Sequence, residues 1–175
     1  MFPQSPALFT MKTPIIKRQR ERAGAILEID VEGLYYVYAQ LVYTKQCVFY
    51  DFRSHEHLTD ITILHNKPVM FVAAVYSYII TRGYWPIIGT MPIREEFREM
   101  PNEFIHHRFD KQEFELYNPN TGAITPSTFD ECKYLERAAV WDRGNIVDRI
   151  RDYYNKVPCI WLKEDYELFP ERKPK

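Results

Sequence analysis

Three apolar runs, each separated from the next by only a few polar residues, constrain this chain most. GAILEID (24–30), LYYVYAQLVY (34–43) and CVFYDF (47–52) are rich in β-branched and aromatic residues. The first alternates apolar and polar side chains through Ile26, Leu27, Glu28, Ile29 and Asp30. Glu32-Gly33 and Thr44–Gln46 supply the turns between runs. No helix fits in such short connections, so the strands run antiparallel. An antiparallel meander or a small, partly open barrel is expected.

The apolar run VMFVAAVYSYII (69–80) follows a polar loop, RSHEHLTD (53–60). Its β-formers predict a further strand, buried on both faces. Next comes GYWPIIG (83–89). The chain has only six glycines, and two of them bracket this uncharged segment. Trp85 to Ile88 reads as a short strand, which Pro86 confines to a sheet edge or a strand start. Ile93 to Met100 reads as a short acidic helix. Phe104–Phe109 and Phe114–Tyr117 read as a pair of strands ending in the turn cluster NPNTG.

Two helices are expected near the C-terminus. Thr128-Phe129-Asp130-Glu131 has the form of a capping box, and the helix is expected to continue through CKYLERAAVW. Gly144 would end it and Asn145 would cap the next, whose apolar stripe is Ile146, Val147, Ile150 and Tyr154. The fold class is therefore α+β: mostly antiparallel sheet with two helices near the C-terminus. Residues 1–16, with Pro3, Pro6 and Pro14, are expected to form a flexible lead-in, and 17–175 a single domain.

Composition removes several function classes. Net charge is −1, so no global field attracts nucleic acid or an anionic membrane. The longest apolar run is too short to span a bilayer. The first residues lack the form of a secretory signal. Three scattered cysteines (Cys47, Cys132, Cys159) have no metal spacing and no disulfide framework, which fits reduced thiols in a cytoplasmic protein. Thirteen tyrosines suit half-wet surfaces, including contacts between copies in a homo-oligomer.

Motifs for chemistry are few. The sequence has no GxSxG, HExxH, P-loop or GxGxxG pattern, and no cofactor is expected. His55-Glu56-His57 is the nearest thing to a metal motif, since both histidines would share one face of a strand. It supports an alternative reading as a metal-dependent hydrolase. Adjacent His106 and His107 cannot chelate together from a strand. Cys132 reads as a small core residue rather than a nucleophile. Lys17–Arg22 (KRQRER) offers a second alternative, a nucleic-acid-binding module, although Glu21 breaks the run. Glu95, Glu96, Glu99 and Glu103 form a local acidic cluster, either a solvated face or a docking surface for a basic protein. Glu136 is expected to pair with Arg137, Arg143 or Arg149 beside Trp141 and pin the helices.

The ordered set of motifs resembles the immunity protein 26 family of bacterial polymorphic toxin systems. The resemblance runs over about 17–155. It rests on Gly83, Trp85, Ile88 and Gly89; then on Glu131, Cys132, Leu135, Glu136, Val140 and Trp141; then on Arg149 and Ile150. Asn145 stands where that family has a histidine, Gly24-Ala25 where it has Gly-Asp, and residues 156–175 form an extension. The resemblance implies a cytoplasmic, non-enzymatic protein that neutralises a cognate toxin by direct binding. For a nuclease toxin with a basic cleft it implies a carboxylate surface, here Glu56, Asp60, Glu95, Glu96, Glu99 and Glu103. Gly83, Trp85, Gly89, Glu136, Trp141 and Arg149 are then scaffold residues. Neither membrane nor direct nucleic-acid binding is implied.

Overall fold

The computed structural model describes residues 17–107, 109 and 113–174; the lead-in expected over 1–16 lies outside them. The three opening runs form strands β1 (Ala25–Val31), β2 (Tyr35–Leu41) and β3 (Gln46–Ser54). With β4 (Val69–Val75) they make the antiparallel meander that the short turns require. After β4 come helix α1 (Ser77–Thr81) and strand β5 (Ile87–Thr90), which returns to pair with β1. Strands β6 (Glu103–His106), β7 (Phe114–Tyr117) and β8 (Ile124–Ser127) build a second, antiparallel sheet. Helix α2 (Phe129–Cys132), strand β9 (Val140–Trp141), helix α3 (Arg143–Asn155) and helix α4 (Lys163–Leu168) complete the chain.

The main sheet has the order β5-β1-β2-β3-β4-β9 and is open, with β9 parallel to β4 at one edge. The architecture is α+β, and the sheet does not close into a barrel. Strand alternation sorts its side chains onto two faces. One face carries Leu27, Ile29, Val37, Ala39, Cys47, Phe49 and Phe71, and Ile146 and Ile150 of α3 pack on it. The other carries Ile26, Tyr38, Val48 and Tyr50, and is covered by irregular segments through Leu64, Met91 and Met100. These are called the helical face and the loop face below. A third cluster, Phe104, Phe114, Cys132 and Phe169, joins the small sheet to α2 and the tail.

Several sequence expectations are corrected. The run 69–80 is not one strand: β4 ends at Val75 and Ser77–Thr81 turns helical. β4 is not fully buried on both faces either; Phe71, Ala73 and Val75 are buried while their neighbours are half-exposed. The acidic helix over 93–100 shrinks to a single 3₁₀ turn, Glu95–Phe97. The capping box at Thr128 is present, with both reciprocal bonds. The helix behind it stops at Cys132, however, because the next backbone is needed elsewhere. Phe104 N–H donates to Glu136 O, Ala138 N–H donates to Phe104 O, and Val140–Trp141 pair with β4. Residues 136–141 thereby join the two sheets. Helix α3 is capped by Asp142 rather than Asn145, and Gly144 lies inside it. Its expected stripe is correct: Ile146 and Ile150 are buried, and Val147 and Tyr154 pack against the same core.

Candidate functional site

The loop face brings together the two acidic segments that the sequence separates. After β3 the chain turns at Ser54, whose Oγ donates to Glu56 O at 2.5 Å. His57 then reaches back over the sheet. Its Nδ1 lies 2.8 Å from Glu28 Oε1, and its ring stacks on Tyr36 with centroids 4.5 Å apart. Glu28 sits on β1, 5% exposed, and also accepts from Tyr38 OH at 3.4 Å. Burial and the neighbouring Glu28 charge push the Tyr38 phenol up to about 12. Asp60 caps the following 3₁₀ turn, accepting from Thr62 N–H at 2.9 Å and Thr62 Oγ1 at 2.6 Å, which lowers its pKa.

The second segment docks beside it. Arg94 Nη1 donates to Lys67 O at 2.9 Å and His65 O at 3.2 Å, and the guanidinium carbon lies 4.6 Å from the Phe97 ring centroid. Gln40, fully buried on β2, donates to Met91 O at 2.8 Å and accepts from Tyr50 OH at 3.0 Å. These bonds satisfy backbone carbonyls that no helix or ladder serves. Glu56, Asp60, Glu95, Glu96 and Glu99 are all exposed. Glu95 pairs with Arg98 and Glu96 with Arg94, each at 3.0 Å.

Glu103 does not share that surface. It opens β6, is 6% exposed, and accepts from Gln46 Nε2. Burial, followed by the charge of Glu136, raises its pKa from an ordinary 4.5 to about 7.

The histidine motif does not converge. His55 Nδ1 is 3.1 Å from Leu34 O, whereas His57 is committed to Glu28. Among the described residues, no three His, Cys, Asp or Glu side chains are grouped to hold a metal ion. His107 Nε2 lies 2.8 Å from Glu115 Oε2, and His106 packs on the Phe114 ring. Cys132, like Cys47 and Cys159, is a buried free thiol, and burial holds its pKa up. Among the described residues no helix is long and apolar enough to cross a membrane.

The basic run 17–22 contains a staple that the sequence did not reveal. Gln19 N–H donates to Thr81 O at 3.0 Å, its Nε2 donates to Trp85 O at 2.6 Å, and its Oε1 accepts from Ile87 N–H at 3.0 Å. Gln19 therefore fixes the GYWPIIG segment. Within that segment Gly83 takes a positive φ of 78° to leave α1. Trp85 is 2% exposed, edge-on to Phe49. A Cβ on Gly89 would lie 2.6 Å from Ile61 Cδ1, and the β1–β5 register shifts beside it.

Glu136 selects Arg149 among its three candidate partners. Arg149 Nη2 donates to Glu136 Oε1 at 2.8 Å, and its guanidinium carbon lies 3.9 Å from the Phe71 centroid and 5.0 Å from Trp141. Arg137 turns instead to Asp165 at 2.6 Å, and Arg143 lies over Tyr84. The pair pins α3 to the 136–141 segment rather than one helix to another.

Comparison with known protein families gives a match. The family described as Immunity protein 26 matches residues 22–115, more than half of the 175-residue chain. No curated protein and no solved structure matches it. The matched stretch holds the whole meander, the GYWPIIG segment and both acidic segments of the loop face. The motifs at 131–141 and 149–150 lie beyond it. The chain belongs to the immunity protein 26 family.

Proposed function

We propose that this protein binds a cognate bacterial toxin directly and neutralises it, by occupying the toxin and not by chemistry of its own. Family membership carries the reading. The loop face supports its location, because that face gathers five exposed carboxylates from two segments: Glu56, Asp60, Glu95, Glu96 and Glu99. Rim carboxylates of this kind speed association with a basic partner more than they add affinity. A nuclease toxin domain with a basic cleft fits that charge. Glu103 takes no part in contact, since it is buried. The protein would act in the cytoplasm, with residues 17–174 as one unit joined through 136–141.

The test is co-expression of a tagged chain with the protein encoded immediately upstream. A stable one-to-one complex that also abolishes the neighbour's toxicity is expected. A chain that purifies without the neighbour, in cells that die as fast with it as without it, would overturn the reading. Elution of the chain alone as a dimer would report self-association independently.

A further inference from the structure

The basic run 17–22 is a motif that the toxin reading leaves unused, and the fold gives it a direction. Exposure alternates along it: Gln19 and Glu21 are half-buried, while Arg18, Arg20 and Arg22 are exposed. The staple at Gln19 is the reason, since it ties the run to Thr81 O, Trp85 O and Ile87 N–H. Side chains that alternate along an anchored backbone fall on two sides. Three guanidinium groups therefore stand in a row on the outer side.

The row continues into the surface around α1. Arg82 follows Thr81 directly, and its guanidinium carbon lies 5.7 Å from the Tyr78 ring centroid. Tyr78 stacks on Tyr76 with centroids 6.1 Å apart and meets Tyr84 edge-on at 6.0 Å. Arg143, at the start of α3, lies 4.4 Å from the Tyr84 centroid. Tyr76 is 49% exposed. Residues 17–22, 76–84 and 142–143 together carry six cations against two carboxylates. Of those two, Glu21 is half-buried and Asp142 already accepts from Tyr78 OH at 2.6 Å. Among the described residues, Arg18, Arg20, Arg22 and Arg82 pair with no carboxylate.

The whole chain is close to charge balance, so a polyanion must be met by a local surface of this kind. A single row of cations serves the phosphates of one strand. An exposed tyrosine ring stacks on an unpaired base, whose face a duplex keeps hidden. An acidic peptide would use the cations and leave the ring without a planar partner. We propose that this surface binds single-stranded nucleic acid. Arg18, Arg20, Arg22 and Arg82 take phosphates, and Tyr76 takes a base. The carboxylates of the loop face are no part of it, so the proposal is independent of the toxin reading.

The experiment titrates the nuclease-treated full chain into a short, labelled oligothymidine and reads fluorescence anisotropy. Saturable binding is expected at about 50 mM salt, weakening as salt rises with a log–log slope of about −3 for four phosphate contacts. Arg18→Gln/Arg20→Gln/Arg22→Gln should weaken binding about tenfold or more and make the slope shallower by about 2. Tyr76→Ala should weaken it about fivefold or more with the slope unchanged. All four positions are exposed, so the melting temperature should not move. The proposal is overturned if no saturable binding is seen at about 50 mM salt, or if the triple variant binds as well as the parent. Tyr76→Ala at parent affinity, with polyglutamate competing as well as the oligonucleotide, overturns it in favour of an acidic protein. Tighter binding to vesicles containing phosphatidylserine overturns it in favour of a membrane surface. Tighter binding of a duplex of the same length overturns the single-strand assignment. None of these results bears on the complex with the protein encoded upstream.

Discussion

The two faces of the main sheet are covered by different means. On the helical face α3 satisfies its own backbone, so the sheet offers it almost pure hydrocarbon: Leu27, Ile29, Val37, Ala39, Phe49 and Phe71. On the loop face the cover is irregular, and its carbonyls need donors. Gln40 supplies one to Met91 O and is itself held by Tyr50 OH, which donates to its Oε1, while Gln46 on β3 donates to the carboxyl of Glu103 at the start of β6. An irregular cover must be held by side-chain hydrogen bonds, because loops have no ladder of their own. The helical face provides bulk stability, and the loop face provides a fixed, charged outline.

Four perturbations break or sharpen that contrast. The largest effect is expected from Trp85→Ala, which opens a void against Phe49 on the helical face. Urea denaturation should report a loss of about 3–5 kcal/mol. A variant that melts like the parent would show that this face is not the main source of stability.

Glu103 comes next. Its pKa is raised in the folded state from an ordinary 4.5 to about 7. Between those values the unfolded chain has released a proton that the folded chain retains, so stability falls as pH rises through the window. The loss is on the order of 3 kcal/mol. Urea midpoints at about pH 5 and about pH 8 should differ in that direction, and Glu103→Gln should remove the difference. A parent whose midpoint rises with pH through this window would contradict the assignment.

Gln40→Ala removes the donor to Met91 O and the acceptor of Tyr50 OH. It should cost about 1–3 kcal/mol. Hydrogen exchange should speed up over Met91–Met100 more than over α3. Uniform acceleration of both would mean that the faces are not held separately.

The smallest effect on stability belongs to the exposed carboxylates. Reversing Glu95 disrupts only its surface pair with Arg98, so the melting temperature should barely move. A large drop would mean that the rim charges are structural.

The meander was legible because β1 to β3 are rich in β-branched and aromatic residues and their turns are too short for anything else. Trp85 as core and a pairing of Glu136 with an arginine were legible from residue type, but the choice of Arg149 among three candidates was not. The helix expected through Trp141 failed for a nonlocal reason. The capping box at Thr128 is a true local signal, yet residues 136–141 find backbone partners at Phe104 and β4 that no local pattern encodes. Glu103 follows Glu99 closely in sequence, but β6 begins there and turns it inward toward Gln46. Gln40 did leave a signal: a polar residue inside LYYVYAQLVY, at a position that alternation places opposite the apolar set.

The central claim is that the loop face meets a basic toxin. The most direct measurement is the association rate of the proposed partner, the protein encoded immediately upstream, with Glu56→Lys/Glu95→Lys/Glu99→Lys, compared with the parent at low and moderate salt. The account predicts association slowed about tenfold or more at low salt, a smaller difference as salt rises, and an unchanged melting temperature. Association as fast as the parent at every salt concentration would contradict it and move the contact surface elsewhere on the molecule.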